Sequence, residues 1–322
     1  MKRKIPVIIL ECANSHDGNY RILTKTIEKF SKFNYEGIHI KFQPISANTL
    51  STPDYNWFNV YKKLEFNHVQ WKKMINKAYN LYKGVWIDIF DEFGIKILRE
   101  NIKKLHGIKI QASTLENKKV IYQLKKIDFK KKIILNVSGK KIPEIKKIIS
   151  TFENISKDII LQSGYQDYPT ELKETNFNKI LILKKKFPNK VLSYADHLDS
   201  MDLKSIFLPI KAYQFHCDII EKHIALRGKK SKFDNFSSLN INQTNEMFKN
   251  ISFFFQNDRK SFLSKKEKKY LNNIIQLPVA KDPISKGNLV DINKISYLRT
   301  NHNQNKIYNF DFKKNYIAKK KN

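Results

Sequence analysis

A chain of 322 residues with 41% hydrophobic and 12% aromatic residues has enough apolar content for a packed core, which excludes a disordered polymer despite a formal charge of +31. Two distant cysteines, Cys12 and Cys217, exclude a disulfide framework and a zinc cage. Apolar runs far shorter than the ~20 residues of a bilayer span, and the lack of a signal-peptide pattern, predict a soluble, unexported, cytoplasmic protein. The charge is mostly lysine, dispersed in short runs such as Lys72-Lys73 and Lys130-Lys131-Lys132, without stacking aromatics interleaved with arginine. It therefore reads as a solvated surface rather than a nucleic-acid or membrane partner site, with a field that attracts small anionic molecules.

In chain order, eight short β-branched runs mark strands at residues 7–13, 37–43, 85–90, 107–113, 133–138, 159–164, 191–197 and 218–224. Between them lie segments with apolar residues at helical spacing, such as Ile22, Ile27 and Phe30, or Val69, Met74 and Ile75. Strands alternating with helices imply parallel pairing through crossover helices, and eight such units close most naturally as a (β/α)8 TIM barrel. An open doubly wound sheet is the runner-up, but no GxGxxG follows any strand, which removes its dinucleotide-binding version. Residues 1–256 thus form the barrel domain, closed by a helix over 240–256. Residues 257–276 read as a charged helical linker. Residues 277–322, with Pro278, Pro283, Gly287 and short alternating runs, read as a small β-rich module ending in a frayed tail at Lys319–Asn322.

In such a barrel the chemistry lies at the C-terminal strand ends. Those ends carry Glu11, Ser15 and His16 after the first strand, Lys41 and Gln43 at the second, and Lys109 and Ser113 at the fourth. Asn136 and Ser138 follow at the fifth, Gln166 and Tyr168 after the sixth, Asp196 and His197 at the seventh, and Glu221 and His223 at the eighth. His197 and His223 hold equivalent places on strands about 4.8 Å apart, so the two imidazoles can share one divalent ion; residue type alone leaves Mn, Fe, Co, Zn and Mg open. His39, His68, His106, His216 and His302 have no such partner and read as structural. Lys41, flanked by apolar neighbours, reads as buried and neutralising an anion.

Ile9-Leu10-Glu11 followed by Ser15-His16-Asp17-Gly18, Lys41-Phe42-Gln43, Tyr168-Pro169-Thr170, Asp196-His197, Ile220-Glu221-Lys222-His223 and Asp234 with Ser238-Leu239 together resemble, in order, the motifs of the sialic acid (N-acetylneuraminate) synthase family and its legionaminic and pseudaminic acid relatives. The resemblance spans residues 8–239 and implies a (β/α)8 barrel followed by a small antifreeze-like (SAF) domain, here shortened. It also implies a domain-swapped homodimer in which Arg299 reaches the neighbouring site. The implied reaction is a transferase chemistry that joins phosphoenolpyruvate to an N-acylated amino-sugar aldehyde for surface-glycan biosynthesis. Under this resemblance His197 and His223 hold a divalent metal, Mn2+ in the first place, with Mg2+ or Co2+ as alternatives. Lys41, Gln43, Ser113 and Gln166 bind phosphoenolpyruvate and Lys109 is a further substrate-binding residue, with Asn136 standing where the family carries a phosphate-binding serine. Glu11 is a catalytic acid/base or sugar contact, and Tyr168 and Asp234 face the sugar. The chain departs from the family at Ala195 (serine), Leu115 (acidic) and Thr300 (proline). Two other readings stay open: a polyanion-binding protein on the same scaffold, and a sugar aldolase that does not use phosphoenolpyruvate.

Overall fold

The computed structural model describes residues 5–256 and 262–301, which fall in two compact units, 1–258 and 259–322. In the first unit β1 (Val7–Glu11), β2 (Ile38–Phe42), β3 (Gly84–Ile89), β4 (Gly107–Ile110), β5 (Lys132–Asn136), β6 (Ile159–Gly164), β7 (Val191–Asp196) and β8 (Cys217–His223) form a closed parallel barrel in sequence order. β8 returns to β1 with Glu11 opposite His223. The (β/α)8 expectation therefore holds.

Strand ends differ from the expected ones where the backbone turns. The first strand stops before Ala13, whose φ is +37°, and the second stops before Pro44, which has no N–H for a ladder. The fourth stops at Ile110, because Gln111 O accepts from Thr114 N at 2.8 Å and starts a turn. Ser113 consequently lies on an exposed loop.

The crossover layer comprises α1 (Tyr20–Phe30), α2 (Ala47–Leu50), α3 (Phe58–Leu64), α4 (His68–Leu81), α5 (Glu92–Asn101), α6 (Lys118–Lys125), α7 (Ile142–Glu153), α8 (Asn178–Lys186), α9 (Leu208–Gln214) and α10 (Ile241–Gln256). Asn and Asp start several of them: Asn19 accepts from Arg21 N and Ile22 N, Asn67 with Gln70 makes a capping box, and Asp91 and Asn117 cap α5 and α6. α1 buries Leu23, Ile27 and Phe30. α4 buries Trp71, Met74, Ile75 and Ala78, whereas Val69, expected on that face, is exposed because it lies on the opposite side of the first turn. Gly18 has φ +74°, and a Cβ there would lie 1.8 Å from Lys63 O, so only glycine fits this turn of the first motif.

The barrel interior is layered. Ile9, Trp86, Ile134, Ile160 and Ile219 fill its lower part as an apolar plug. Trp86 Nε1 donates to His39 Nδ1 at 2.9 Å, and the His39 ring meets His106 at 4.7 Å. Gly107 admits the indole, since a Cβ would lie 2.3 Å from it. His39 and His106 are thus packing residues, as expected. His16, although in the first motif, is also structural: its ring packs on Phe66 at 4.8 Å and its Nδ1 accepts from Gly18 N.

Burial pulls His39 down to about 3 and His16 down to about 4 from 6.5. Both folded values lie below the unfolded one, so as pH falls below about 6.5 the unfolded chain takes up protons that the native barrel refuses. Their contribution is complete above that pH and shrinks towards pH 4. Lowering the pH from 7.5 to 5 should reduce stability by about 2 kcal/mol per histidine, read as a falling urea midpoint. A midpoint constant over that range would contradict this burial.

The second unit holds α11 (Lys265–Ile274), started by a Ser264–Glu267 capping box, and an antiparallel pair, β9 (Leu277–Ala280) with β10 (Ile295–Leu298). The span expected as a linker, 257–276, contains this helix, and the span expected as a small β-rich module contains this β pair, while residues 257–261, His302 and the tail Lys319–Asn322 lie outside the described residues. Arg299 is exposed and its Nε donates to Ile274 O at 3.0 Å. No helix among the described residues is long and apolar enough to cross a membrane.

Candidate functional site

Above the apolar plug, the inward positions of the strands change to polar residues, and these form a continuous buried layer. Its centre is Lys41, fully buried, whose Nζ lies 2.7 and 2.9 Å from the two Asp88 carboxylate oxygens, 3.2 Å from Glu221 Oε1, and against Glu11 Oε2. The anion expected for Lys41 is thus supplied here by carboxyl groups of the protein, Asp88 and Glu221, with the Glu11 carboxyl group in contact beside them. Lys109 donates to Glu221 Oε1 at 2.6 Å. Gln162 Nε2 bridges Ser193 Oγ at 3.1 Å and Glu221 Oε2 at 3.2 Å. Gln111 Nε2 donates to Asp88 at 2.8 Å, and Asn136 donates to Gln111 Oε1 at 3.0 Å while accepting from Ser138 N.

Charges packed this closely in a dry interior displace one another's protonation. Burial, reinforced by Asp88 and Glu221 against the opposing Lys41 and Lys109, raises the Glu11 carboxyl to about 8, so it holds a proton at neutral pH. For Glu221 burial acts in the same direction, but Lys109 and Lys41 outweigh it and keep the group ionised. Burial also lowers Lys109, partly offset by Glu221.

His197 and His223 stand at the rim, with ring centroids 5.2 Å apart. His197 Nδ1 lies 2.8 Å from Tyr165 O, and since a carbonyl only accepts, Nδ1 carries the proton and Nε2 keeps its lone pair. His223 Nδ1 is buried without a hydrogen-bond partner, and its Nε2 meets the Tyr168 hydroxyl. The Tyr168 ring covers His197 at 4.5 Å and His223 at 5.3 Å. Burial brings His197 down to about 4 and lowers His223 well below the usual imidazole value, so both rings are neutral, the form that binds a cation. One unprotonated nitrogen with its tautomer set, beside an orphaned one, fits a divalent ion. Among the described residues no group of three or more His, Cys, Asp or Glu side chains is arranged to hold a metal ion, so further ligands would come from substrate or water.

Asp234, with φ +51°, accepts from Asn14 N at 2.8 Å and ties the loop after β8 to the loop after β1; burial raises its carboxyl. Asp17 strengthens the same clasp by accepting from Lys232 N at 2.8 Å. The structure thus brings Glu11, Lys41, Lys109, Asn136, Tyr168, His197 and His223 to one end of the barrel. Gln43 follows β2 half-buried, whereas Ser113 and Gln166 are exposed on loops. Gln162 holds a buried amide position and Gln111 a half-buried one.

Asp196, expected at the mouth, points the other way. It pairs with Lys222 at 2.7 Å, both fully buried on the outer wall between β7 and β8. Its strand parity is opposite to that of Ala195 and His197, as Lys222 is to Glu221 and His223. Asp88, Gln111, Gln162 and Ser193 were not anticipated. For Asp88 a signal existed, a lone carboxylate inside the apolar run Val85-Trp86-Ile87-Asp88-Ile89.

The chain matches the NeuB family over residues 26–259. An uncharacterized protein of Methanocaldococcus jannaschii is 24% identical over 295 residues, 91% of this chain and 84% of that one. Among solved structures, a putative spore coat polysaccharide biosynthesis protein E from Chromobacterium violaceum superposes with a TM-score of 0.80 at 18% identity, covering 98% of this chain and 96% of its own. The N-acetylneuraminic acid (sialic acid) synthetase of Leptospira borgpetersenii gives 0.71 at 19% identity, with 84% and 92% covered. At such identities these likenesses speak for the fold. The family match covers most of the chain, and this protein belongs to the NeuB family.

Proposed function

We propose that this chain is a sialic-acid-like (nonulosonate) synthase, a transferase that joins phosphoenolpyruvate to the open-chain aldehyde of an N-acylated amino-hexose and releases phosphate, in surface-glycan biosynthesis. The observation that carries the reading is the pair of neutral imidazoles, His197 and His223, at the rim of a buried layer containing two lysines and a protonated carboxyl group. His197 and His223 would hold a divalent ion, Mn2+ by preference, which supplies Lewis acidity to the aldehyde oxygen when bound. Lys41 and Lys109 bind the anionic groups of phosphoenolpyruvate, and Gln111, Asn136 and Gln162 orient it through their amides. Gln43, Ser113 and Gln166 lie at or near the mouth and complete that site. Glu11 holds the proton needed at the new hydroxyl, and Tyr168 and Asp234 contact the sugar. C3 of phosphoenolpyruvate bonds to the aldehyde carbon, water adds at C2, and phosphate leaves by C–O cleavage.

The second unit is read as a shortened SAF domain of a homodimer, with Arg299 serving the partner's site. Its support is the antiparallel β9–β10 pair and the resemblance at Lys286-Gly287 to Arg299.

Purified protein with Mn2+, phosphoenolpyruvate and a panel of 2-acetamido and 2,4-diacetamido hexoses should release phosphate with one of them and yield an α-keto acid by mass spectrometry. With pyruvate supplied in place of phosphoenolpyruvate, formation of the α-keto acid without phosphate release would favour a simple aldolase. No turnover with any sugar would count against the synthase.

A further inference from the structure

The ammonium of Lys41 has three N–H bonds, and each already faces a carboxyl group of the protein. Asp88 takes one through both oxygens, Glu221 lies at 3.2 Å, and Glu11 is in direct contact. Three carboxyl groups thus converge on a layer with two ammonium groups, Lys41 and Lys109, and Lys109 is itself held by Glu221. An anionic substrate cannot reach Lys41 without displacing a resident partner.

The three partners are not equivalent. Glu221 is shared with Lys109 and Gln162, and Glu11 is fixed by Ala13 N at 2.8 Å. Asp88 makes its hydrogen bonds to Lys41 and to Gln111, and Gln111 leads through Asn136 to the backbone of Ser138 at the mouth. Displacing Asp88 therefore costs contacts along one chain of side chains that ends where substrate enters. It leaves the Glu221–Lys109–Gln162 cluster intact.

We propose that Asp88 is a built-in counter-anion that competes with the carboxylate or phosphate of the incoming substrate for Lys41, and so sets the affinity of the site for that substrate. The inference rests on the reading of this site as a phosphoenolpyruvate site. Asp88 is a positioning residue: it acts through Lys41 and Gln111 and touches neither reacting atom. Its charge keeps the empty lysine layer from holding adventitious anions and weakens the enzyme's grip on its own substrate by the same amount.

Asp88→Asn separates charge from shape, because its amide oxygen can still accept from Lys41 or Gln111. Calorimetric titration of the full-length protein with phosphoenolpyruvate should show binding about tenfold tighter for Asp88→Asn, the scale of one hydrogen bond to a charged group. The KM for phosphoenolpyruvate should fall in step while the KM for the sugar is unchanged. Adding Lys41→Met to Asp88→Asn should abolish the gain.

Equal or weaker binding by folded Asp88→Asn overturns the proposal and leaves the synthase reading standing. Absence of binding by wild type and variants alike overturns the synthase reading and the proposal with it. Should Asp88→Asn not fold, Asp88→Ser is measured in its place; failure of both to fold would make Asp88 a structural ion-pair partner and also overturn the proposal.

Discussion

Replacing His223 with alanine is expected to lower turnover by about 10³-fold or more, since the substitution removes one of the two protein ligands of the proposed metal. Mn2+ titration, followed by the paramagnetic signal of the free ion, should show tight binding to the wild type and none to the variant. Stability should move in a contrasting way. His223 Nδ1 is buried without a partner, so deleting the ring removes an unsatisfied polar atom, while it takes away the hydrogen-bond partner of the Tyr168 hydroxyl and opens a small cavity at the mouth. The two effects oppose each other, and the unfolding midpoint should shift by no more than that of an ordinary surface substitution. Chelated wild type should match the variant in activity and recover on adding Mn2+. Unchanged Mn2+ affinity in His223→Ala would sink the two-histidine site.

The largest loss of stability is expected on the opposite face of the same strands. Lys222→Met leaves the Asp196 carboxyl group fully buried and without its cation, which costs about 3–5 kcal/mol. Asp196 would keep its bond from Leu198 N at 2.9 Å, which satisfies one oxygen and not the charge. Adding Asp196→Asn preserves that bond and removes the charge, so the double variant should regain most of the loss in a urea titration. If the single and double variants unfold at the same midpoint, the pair does not hold β7 to β8. Because Asp196 precedes His197 and Lys222 precedes His223, a slipped register would also turn both imidazoles out of the mouth. Activity of the single variant should therefore fall with its stability.

The eight strands were legible because parallel barrel strands are covered on both faces and read as unbroken β-branched runs such as Val7-Ile8-Ile9-Leu10. For the same reason their faces were not legible. A run that is apolar on both sides has no alternation to say whether Asp88 or Ile89, Asp196 or His197, turns inward. Closure of the barrel decided it, through a pairing register that sets Asp88 beside Lys109 and Asp196 beside Lys222. One carboxylate went into the polar layer and the other onto the outer wall. Strand length mattered in the same way: the turn at Gln111 moved Ser113 onto an exposed loop and left the inward position to Gln111.

By itself the sequence determined the number and order of strands, the two histidines at the ends of the last two, and the motifs that mark the family. These depend on local chemistry: β-branched runs, polar residues at strand ends, and a glycine where a carbonyl passes too close for a side chain. Only the tertiary structure decided which carboxyl groups surround Lys41. Those partners come from β1, β3 and β8, distant in the chain, and meet because the closed barrel brings their inward faces together in a dry interior where each charge must find a counter-charge.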